Sequence, residues 1–130
     1  MRIRRGEIYI ADMCMNIGSE QGGVRPVLIL QNNKGNKYSP TTIVASITSR
    51  VGTKKYLPTH FYLPDGLGLK YRSIVLLEQI RVIDKSRLIH KIGKVPQRTM
   101  RIIDKKIMTS CGLNPNRYFR NKDYLKYSSP

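Results

Sequence analysis

The chain has 130 residues, the length of a single domain, and its 24 basic and 8 acidic side chains give a net charge of +16. This length excludes separate cofactor and substrate domains. With 40% hydrophobic residues and no apolar run near the ~20 residues of a membrane span, the composition predicts a globular protein without a membrane partner. The charge predicts a polyanionic partner, either nucleic acid or an acidic protein, because a positive field attracts and steers polyanions.

Alternating and β-branched segments in the first part of the chain predict six short strands. They cover residues 6–11, 26–30, 41–49, 60–63, 73–83 and 87–92. The intervening segments 12–24 and 32–40 are rich in glycine and asparagine and are predicted to be loop and turn. Apolar residues at helical spacing predict one amphipathic helix over 96–110, which starts at Pro96 and stops before Gly112. This order is typical of a mainly β domain, a compact barrel or strongly bent sheet with a C-terminal helix.

The usual cofactor and metal motifs are missing from the sequence. There is no GxxxxGK[ST], GxGxxG or HExxH motif, and the eight acidic residues are scattered singly, so neither a cofactor nor a metal is expected. Cys14 and Cys111 lie far apart, and the basic N-terminal segment alternates and contains Glu7, which predicts a cytoplasmic protein with two reduced thiols. His60 and His90 are one candidate acid/base pair, although histidines in strands are usually structural.

Two short segments carry residues suited to binding a phosphate. In GSEQGGVRP a glycine-rich loop ends at Arg25, and Pro26 biases the Arg25 backbone toward an extended conformation. The planar guanidinium offers five donors that match phosphate oxygens. In ASITS a strand ends with hydroxyls, including that of Thr48. An arginine and a hydroxyl together form a plausible clamp for the charge on a phosphorane, although each segment alone is a weak signal.

Longer stretches of the sequence resemble a known family. They are RRGEIYIADM, GSEQGGVRPVLILQNNKGNKYSPTTIVASITS, LPTHFYL and SIVLLEQIRVIDKSRL. Together they resemble the MazF/PemK family of toxin endoribonucleases, most closely the MazF type of Gram-positive bacteria. The resemblance implies an SH3-like small β-barrel with a C-terminal helix, a homodimer, and metal-independent cleavage of single-stranded RNA at a short sequence. It also implies a cognate MazE-like antitoxin, whose acidic segment covers the RNA-binding groove.

The resemblance also implies which residues act. Arg25 and Thr48 correspond to the family's catalytic residues. The implied RNA-binding residues are Ser19, Glu20, Gln21, Asn32, Ser73, Glu78 and Gln79. Without a metal, the 2′-hydroxyl of the RNA is the expected nucleophile, so DNA is not a substrate. The domain is expected to cover residues 1–112, and residues 113–130 are expected to form a basic C-terminal extension.

Two other functions remain open at this point. A toxin resembling CcdB has the same fold but traps DNA gyrase, and it does not need the GSEQGGVRP and ASITS segments. A non-catalytic RNA-binding barrel uses the same positive charge and leaves its RNA intact. The two alternatives differ from the ribonuclease in a simple observation, which is whether RNA is cut.

Overall fold

The computed structural model describes residues 2–14, 22–50 and 57–119, which form a mainly β protein with a C-terminal helix. The strands are β1 (Glu7–Asp12), β2 (Val24–Ile29), β3 (Thr41–Thr48), β4 (His60–Tyr62), β5 (Ile74–Asp84) and β6 (Leu88–Lys94). The helices are α1 (Asn33–Tyr38), α2 (Gln97–Ser110) and α3 (Pro115–Phe119), and a 3-10 turn (Lys85–Arg87) joins β5 to β6. The strands make one antiparallel sheet with the order β4-β5-β3-β2-β1-β6.

The sheet is strongly curved, because the connection from β5 to β6 is too short for a flat sheet. Three strands lie between β5 and β6 in the sheet. The distance from β5 to β6 is therefore four inter-strand spacings, or about 19 Å if the sheet is flat. Asp84 and Leu88 flank the 3-10 turn, so their Cα atoms are at most about 14 Å apart. The end of β5 therefore approaches the start of β6, as in a small barrel. The sheet does not close into a complete barrel, since its edge strands β4 and β6 do not pair with each other.

Apolar side chains are buried on both faces of this sheet. On one face, α2 packs Met100 and Ile103 against a cluster that includes Leu28. On the other face, Val27 and Ile29 belong to a second cluster. Alternate residues of β2 thus enter different cores, which explains why residues 27–30 form a continuous apolar run.

Two short helices differ from the sequence prediction. The sequence predicts a turn over residues 32–40, but α1 forms there, and the Asn32 side chain caps it by accepting a hydrogen bond from the Gly35 N–H at 2.8 Å. Asparagine favours both turns and helix N-termini, so its presence alone does not distinguish the two. The second helix, α3, follows Gly112 and lies in the segment expected to be an extension, of which residues 120–130 lie outside the described ranges.

Three further observations bear on the chemistry that the fold can support. Within residues 2–14, 22–50 and 57–119, both cysteines, Cys14 and Cys111, are exposed and unpaired. No helix in these ranges has the length and apolar character needed to cross a membrane. The same ranges contain no cluster of three His, Cys, Asp or Glu side chains placed to hold a metal ion.

Candidate active site

Strands β2 and β3 place Arg25 and Thr48 side by side. The two strands are antiparallel, with Val27 opposite Ser46. Continuing this register by two residues puts Arg25, at the start of β2, opposite Thr48, at the end of β3. Directly opposite residues of an antiparallel pair project from the same face of the sheet. The structure thus brings together the two residues that the sequence singles out as catalytic candidates.

Both residues line an open cleft of about 410 Å³. The cleft lies between the adjoining ends of β2 and β3, the segment 68–73 and strand β6. Its polar lining residues are Arg25, Thr48, Ser49, Arg50, Lys70, Tyr71, Ser73 and His90. None of the described residues that line the cleft is acidic, and its basic lining residues favour binding of a phosphate.

The Arg25 guanidinium is held in a cationic environment. Its Nε donates a hydrogen bond to the backbone oxygen of Gly22 at 2.7 Å, which fixes the half-buried side chain. Burial lowers the pKa of Arg25, and the positive charge of Arg50 lowers it further. Both causes make the cation less favourable in the protein alone. A phosphate bound beside Arg25 would offset the repulsion, so the electrostatics of this cleft favour an anion.

The Thr48 hydroxyl is oriented by the backbone beyond its own strand. Thr48 is only 5% exposed, and its Oγ1 accepts a hydrogen bond from the Arg50 N–H at 3.1 Å. A hydroxyl that accepts such a bond still has its hydrogen to donate. Ser73, on the segment leading into β5, is also buried, and its Oγ donates to the Tyr71 oxygen at 2.8 Å. Thr48 therefore offers one oriented donor to a ligand, while Ser73 stabilises the neighbouring wall.

The segment 68–73, which forms one side of the cleft, depends on one glycine for its position. Gly68 has φ +81°, a conformation that other residues rarely adopt, and a Cβ there would lie 1.9 Å from the Ile92 oxygen of β6. Because Gly68 has no side chain, the backbone of the segment 68–73 packs directly on β6. Lys70 and Tyr71, which follow after Leu69, are thereby held along the cleft.

A separate polar cluster surrounds Glu78 in β5. The Glu78 carboxylate accepts a hydrogen bond from the Thr59 hydroxyl at 3.0 Å and contacts His60 Nε2 at 2.9 Å. The other ring nitrogen of His60, Nδ1, accepts from the Leu57 N–H at 3.1 Å, so Nε2 carries the hydrogen and donates it to Glu78. Burial tends to raise the pKa of Glu78, but the hydrogen bonds from His60, the backbone and Thr59 outweigh it and lower the pKa overall.

Replacing Glu78 with glutamine should therefore weaken the fold in a pH-dependent way. A carboxyl with a lowered pKa stabilises the folded state above its ordinary pKa of 4.5 and loses this contribution as the pH falls through the lowered value. At pH 7 we expect Glu78→Gln to reduce the free energy of unfolding by about 1 kcal/mol. Urea unfolding from pH 7 to pH 3 should show the difference from wild type shrinking below pH 4.5.

The exposed carboxylate Asp65 provides the control for this measurement. Asp65 lies in a turn and is exposed. Asp65→Asn removes the same charge and should leave the stability at pH 7 close to that of wild type. An equal loss in both variants, or a Glu78→Gln loss that persists at pH 3, would contradict the assigned cluster.

The amino-acid sequence and the fold both match known proteins. A family described as PemK-like, MazF-like toxins of type II toxin-antitoxin systems matches residues 4–111, which is most of the chain. The chain belongs to this family. Among solved structures, MazF from Deinococcus radiodurans has a TM-score of 0.75 and 25% identity, with 87% of this chain and 99% of that chain covered.

Two mycobacterial structures are similar as well. An endoribonuclease in complex with its cognate antitoxin has a TM-score of 0.69 and 25% identity, covering 85% of this chain and 96% of that one. Another endoribonuclease has a TM-score of 0.70 and 24% identity, covering 87% and 94% respectively. The resemblance to the MazF/PemK toxins and the expected mainly β fold with a C-terminal helix are thus confirmed. The PemK/MazF-like chain spans nearly the whole length of these structures.

The other residues implied to bind RNA fall into three groups. Ser73 lines the cleft with Arg25 and Thr48. Ser19, Glu20 and Gln21 lie outside the described residues. The remaining residues, which do not line this cleft in the described chain, are Asn32, Glu78 and Gln79. Asn32 instead caps α1, and its contact with RNA stays a prediction.

Glu78 and Gln79 occupy an irregular part of the sheet. The pairing of β3 with β5 shifts from Ala45 opposite Ile80 to Ser46 opposite Leu76, so the register skips three residues of β5. Both candidate residues lie in this bulge, which is a common way of redirecting side chains next to a functional site. The sequence predicts one uninterrupted strand over 73–83, although the adjacent polar residues Glu78 and Gln79 break its apolar pattern where the bulge lies.

The hypothesis that His60 and His90 form an acid/base pair is wrong. His90 is on β6 and lines the cleft, whereas His60 is buried at the start of β4 and bonded to Glu78. Each histidine thus has a separate environment, and the two cannot serve one reacting group as acid and base. The sequence could not show this separation, because β4 and β6 have similar alternating patterns but lie at different edges of the sheet.

Proposed function

We propose that this PemK/MazF-like toxin is an endoribonuclease that cleaves single-stranded RNA, including mRNA, at a short sequence in the cytoplasm, without a metal ion. The observation that carries the proposal is the positive cleft, which has Arg25 and Thr48 on adjoining strand ends. Structures that resemble this chain across most of its length bear the name endoribonuclease, which supports the same reaction.

In the proposed reaction, the ribose 2′-oxygen forms a new bond to phosphorus while the bond from phosphorus to the 5′-oxygen breaks. The products are a 2′,3′-cyclic phosphate and a 5′-hydroxyl. The 2′-hydroxyl loses its proton, and the leaving 5′-oxygen gains one. Arginine stays protonated in proteins, so Arg25 acts as a donor that stabilises the phosphorane charge rather than as a base. Thr48 donates its hydroxyl hydrogen to a phosphate oxygen.

The charge of the cleft also favours a reaction without a metal. Arg25, Arg50 and Lys70 line it, and none of the described lining residues is a carboxylate. Divalent cations are attracted by carboxylate and other oxygen ligands and repelled by a group of fixed positive charges. The guanidinium supplies the positive charge near the phosphate that a metal ion supplies in other nucleases.

Selection of a short RNA sequence requires side chains that read the edges of unpaired bases. We assign this role to Ser19, Glu20, Gln21, Asn32, Ser73, Glu78 and Gln79. Glu78 suits it because His60 and Thr59 hold its carboxylate in one orientation. Each carboxylate oxygen has a further lone pair that can accept from a base amino group.

Two partners complete the proposal. A second copy of the chain would form a homodimer. A cognate MazE-like antitoxin with an acidic segment would compete with RNA for the positively charged cleft, because both carry negative charge. Complexes of similar toxins with their antitoxins support this second partner.

The decisive experiment incubates the purified protein with a mixed RNA pool in EDTA and sequences the new 5′ ends. We expect 5′-hydroxyl ends that share one short sequence. RNA that stays intact but is bound would favour a non-catalytic RNA-binding barrel, and breaks in DNA in the presence of gyrase would favour a CcdB-like toxin. Either result would overturn the proposal.

Removing the Thr48 hydroxyl should slow cleavage while preserving the fold. Thr48→Val keeps the shape of the side chain but leaves no donor for the phosphate, so we expect a loss of about 10²-fold in the single-turnover rate. It also leaves the Arg50 N–H without its acceptor, which costs about 1 kcal/mol of stability. Thr48→Ser keeps the hydroxyl and should retain most of the activity. Equal rates for Thr48→Val and wild type would remove Thr48 from the mechanism.

A further inference from the structure

A second and larger cleft lies at the other end of β2 and β3. It has a volume of about 810 Å³ and is formed by the N-terminal segment, α1 and Lys85 of the 3-10 turn. We call it the basic cleft, after its basic lining residues Arg2, Arg4, Lys34, Lys37 and Lys85. Among the described residues that line it, none is acidic.

The positive charge of the basic cleft is not neutralised by the described carboxylates. The ion pairs of the described chain join Arg5 to Asp104, His60 to Glu78 and Lys91 to Glu7, and involve none of the five basic residues of the cleft. The nearby carboxylate of Glu7 is buried and lies 2.6 Å from Lys91 Nζ. Five like charges around one open cleft repel one another, and a polyanion would relieve this repulsion.

An exposed aromatic ring distinguishes the basic cleft from a merely charged surface. Tyr38 is 71% exposed, and the Lys37 Nζ lies 5.3 Å from the centre of its ring. Exposed large aromatic side chains beside lysines form stacking platforms for unpaired bases, while the lysines contact the phosphates. Charge alone fits any polyanion, but the combination of charge and ring fits a single-stranded nucleic acid best.

We propose that the basic cleft binds single-stranded RNA outside the cleavage site, so that one substrate strand contacts both ends of β2 and β3. This inference rests on the proposed ribonuclease function. The eight-residue strand β3 separates the two clefts by about 23 Å. That distance corresponds to about seven stacked nucleotides at 3.4 Å each. The lysines of the basic cleft therefore hold the flank of long RNAs, and an RNA shorter than about seven nucleotides does not reach them from the cleavage site.

The test measures binding rather than cleavage. Fluorescence anisotropy gives the affinity for a 30-nucleotide single-stranded RNA that carries a 2′-deoxy nucleotide at the cleaved position, at several salt concentrations. For the full-length double variant Lys34→Ala/Lys37→Ala, we expect the plot of the logarithm of the association constant against the logarithm of the salt concentration to become less steep. The magnitude of its slope should decrease by about 1.4, or about 0.7 for each lost phosphate contact. The affinity near 0.1 M salt should fall on the order of tenfold. Cleavage of the shortest RNA substrate should be unchanged.

A matched control removes the same charge elsewhere. Arg98 and Arg101 are exposed on α2 and line neither of the two clefts. Arg98→Ala/Arg101→Ala should leave the salt slope at the wild-type value. Tyr38→Ala should weaken binding of single-stranded RNA, Tyr38→Phe should restore it, and duplex RNA should be insensitive to both changes.

Several results would overturn the inference. The first is an unchanged salt slope in Lys34→Ala/Lys37→Ala. The second is an equal reduction of the salt slope in Arg98→Ala/Arg101→Ala. The third is a loss of duplex RNA binding in Tyr38→Ala that equals its loss of single-stranded RNA binding. Loss of antitoxin binding with intact RNA binding would assign the basic cleft to a protein partner instead. If the wild-type protein neither binds nor cuts RNA, the proposed function itself fails. If wild type cuts RNA but the lysine variant binds long RNA normally, only the second contact is wrong.

Discussion

Replacing Arg25 with methionine is expected to slow RNA cleavage by about 10³-fold while the fold is retained. The side chain lies in the positive cleft, where it would donate hydrogen bonds to the phosphorane. Removing one preorganised donor of this kind costs about 10²–10³ in rate, and the loss of a full positive charge places Arg25→Met at the upper end. Single-turnover cleavage with protein in excess measures this effect separately from substrate binding.

The stability of the same variant depends on two opposing effects. Burial and the charge of Arg50 both lower the pKa of Arg25, so its charged form is disfavoured in the folded protein. Methionine retains much of the aliphatic volume and removes the repulsion with Arg50. Methionine also gives up the Nε hydrogen bond to the Gly22 oxygen, so the two effects offset each other and we expect the melting temperature of Arg25→Met to stay close to that of wild type.

Arg98→Met on α2 serves as the control for Arg25→Met. Arg98 is exposed, so its replacement should change neither the cleavage rate nor the melting temperature. A variant at Arg25 that still cuts RNA within tenfold of the wild-type rate would exclude Arg25 as the charge-stabilising group. A variant that unfolds readily would instead make Arg25 a structural residue.

A single 2′-deoxy nucleotide on the 5′ side of the cleaved bond should stop the reaction completely. This substitution removes the proposed nucleophile and leaves the phosphate unchanged. We expect no detectable cleavage of such an RNA, whereas its affinity should change by no more than about 1 kcal/mol, the value of one hydrogen bond. The same deoxy substitution one nucleotide further in the 3′ direction should leave the RNA cleavable.

The chemical ends of the products and a chelator give an independent check. Cleavage by the 2′-hydroxyl leaves a cyclic phosphate and a 5′-hydroxyl, and EDTA should change the rate by less than about twofold. A 5′-phosphate product, inhibition by EDTA, or cleavage of the deoxy substrate would instead indicate attack by a metal-activated water. Mass spectrometry of the two fragments distinguishes these outcomes directly.

Part of the sheet was predictable from local patterns. The expected strand over 41–49 is observed as Thr41–Thr48, and the helix expected over 96–110 is observed as Gln97–Ser110. Both depend on interactions between near neighbours in sequence, such as alternation in a strand or apolar spacing in a helix. The short helix α1 was not predicted, because its cap residue, Asn32, is equally at home in a turn.

The arrangement of the candidate site was only partly predictable. The motifs around Arg25 and Thr48 marked both residues, but their position opposite each other follows from the register of β2 against β3. The burial of His60 against Glu78 and the bulge at Gln79 likewise arise from contacts between strands. Such contacts join residues far apart in sequence, so no local pattern of the chain determines them.

The sequence by itself determined the charge, the mainly β character, the C-terminal helix and, through its motifs, the toxin family. Only the tertiary structure decided that two positive clefts lie at opposite ends of β2 and β3, one with Arg25 and Thr48, the other with Lys34 and Lys37. The physical reason is that charge is a sum over residues, whereas a binding surface depends on where the curved sheet brings those charges together.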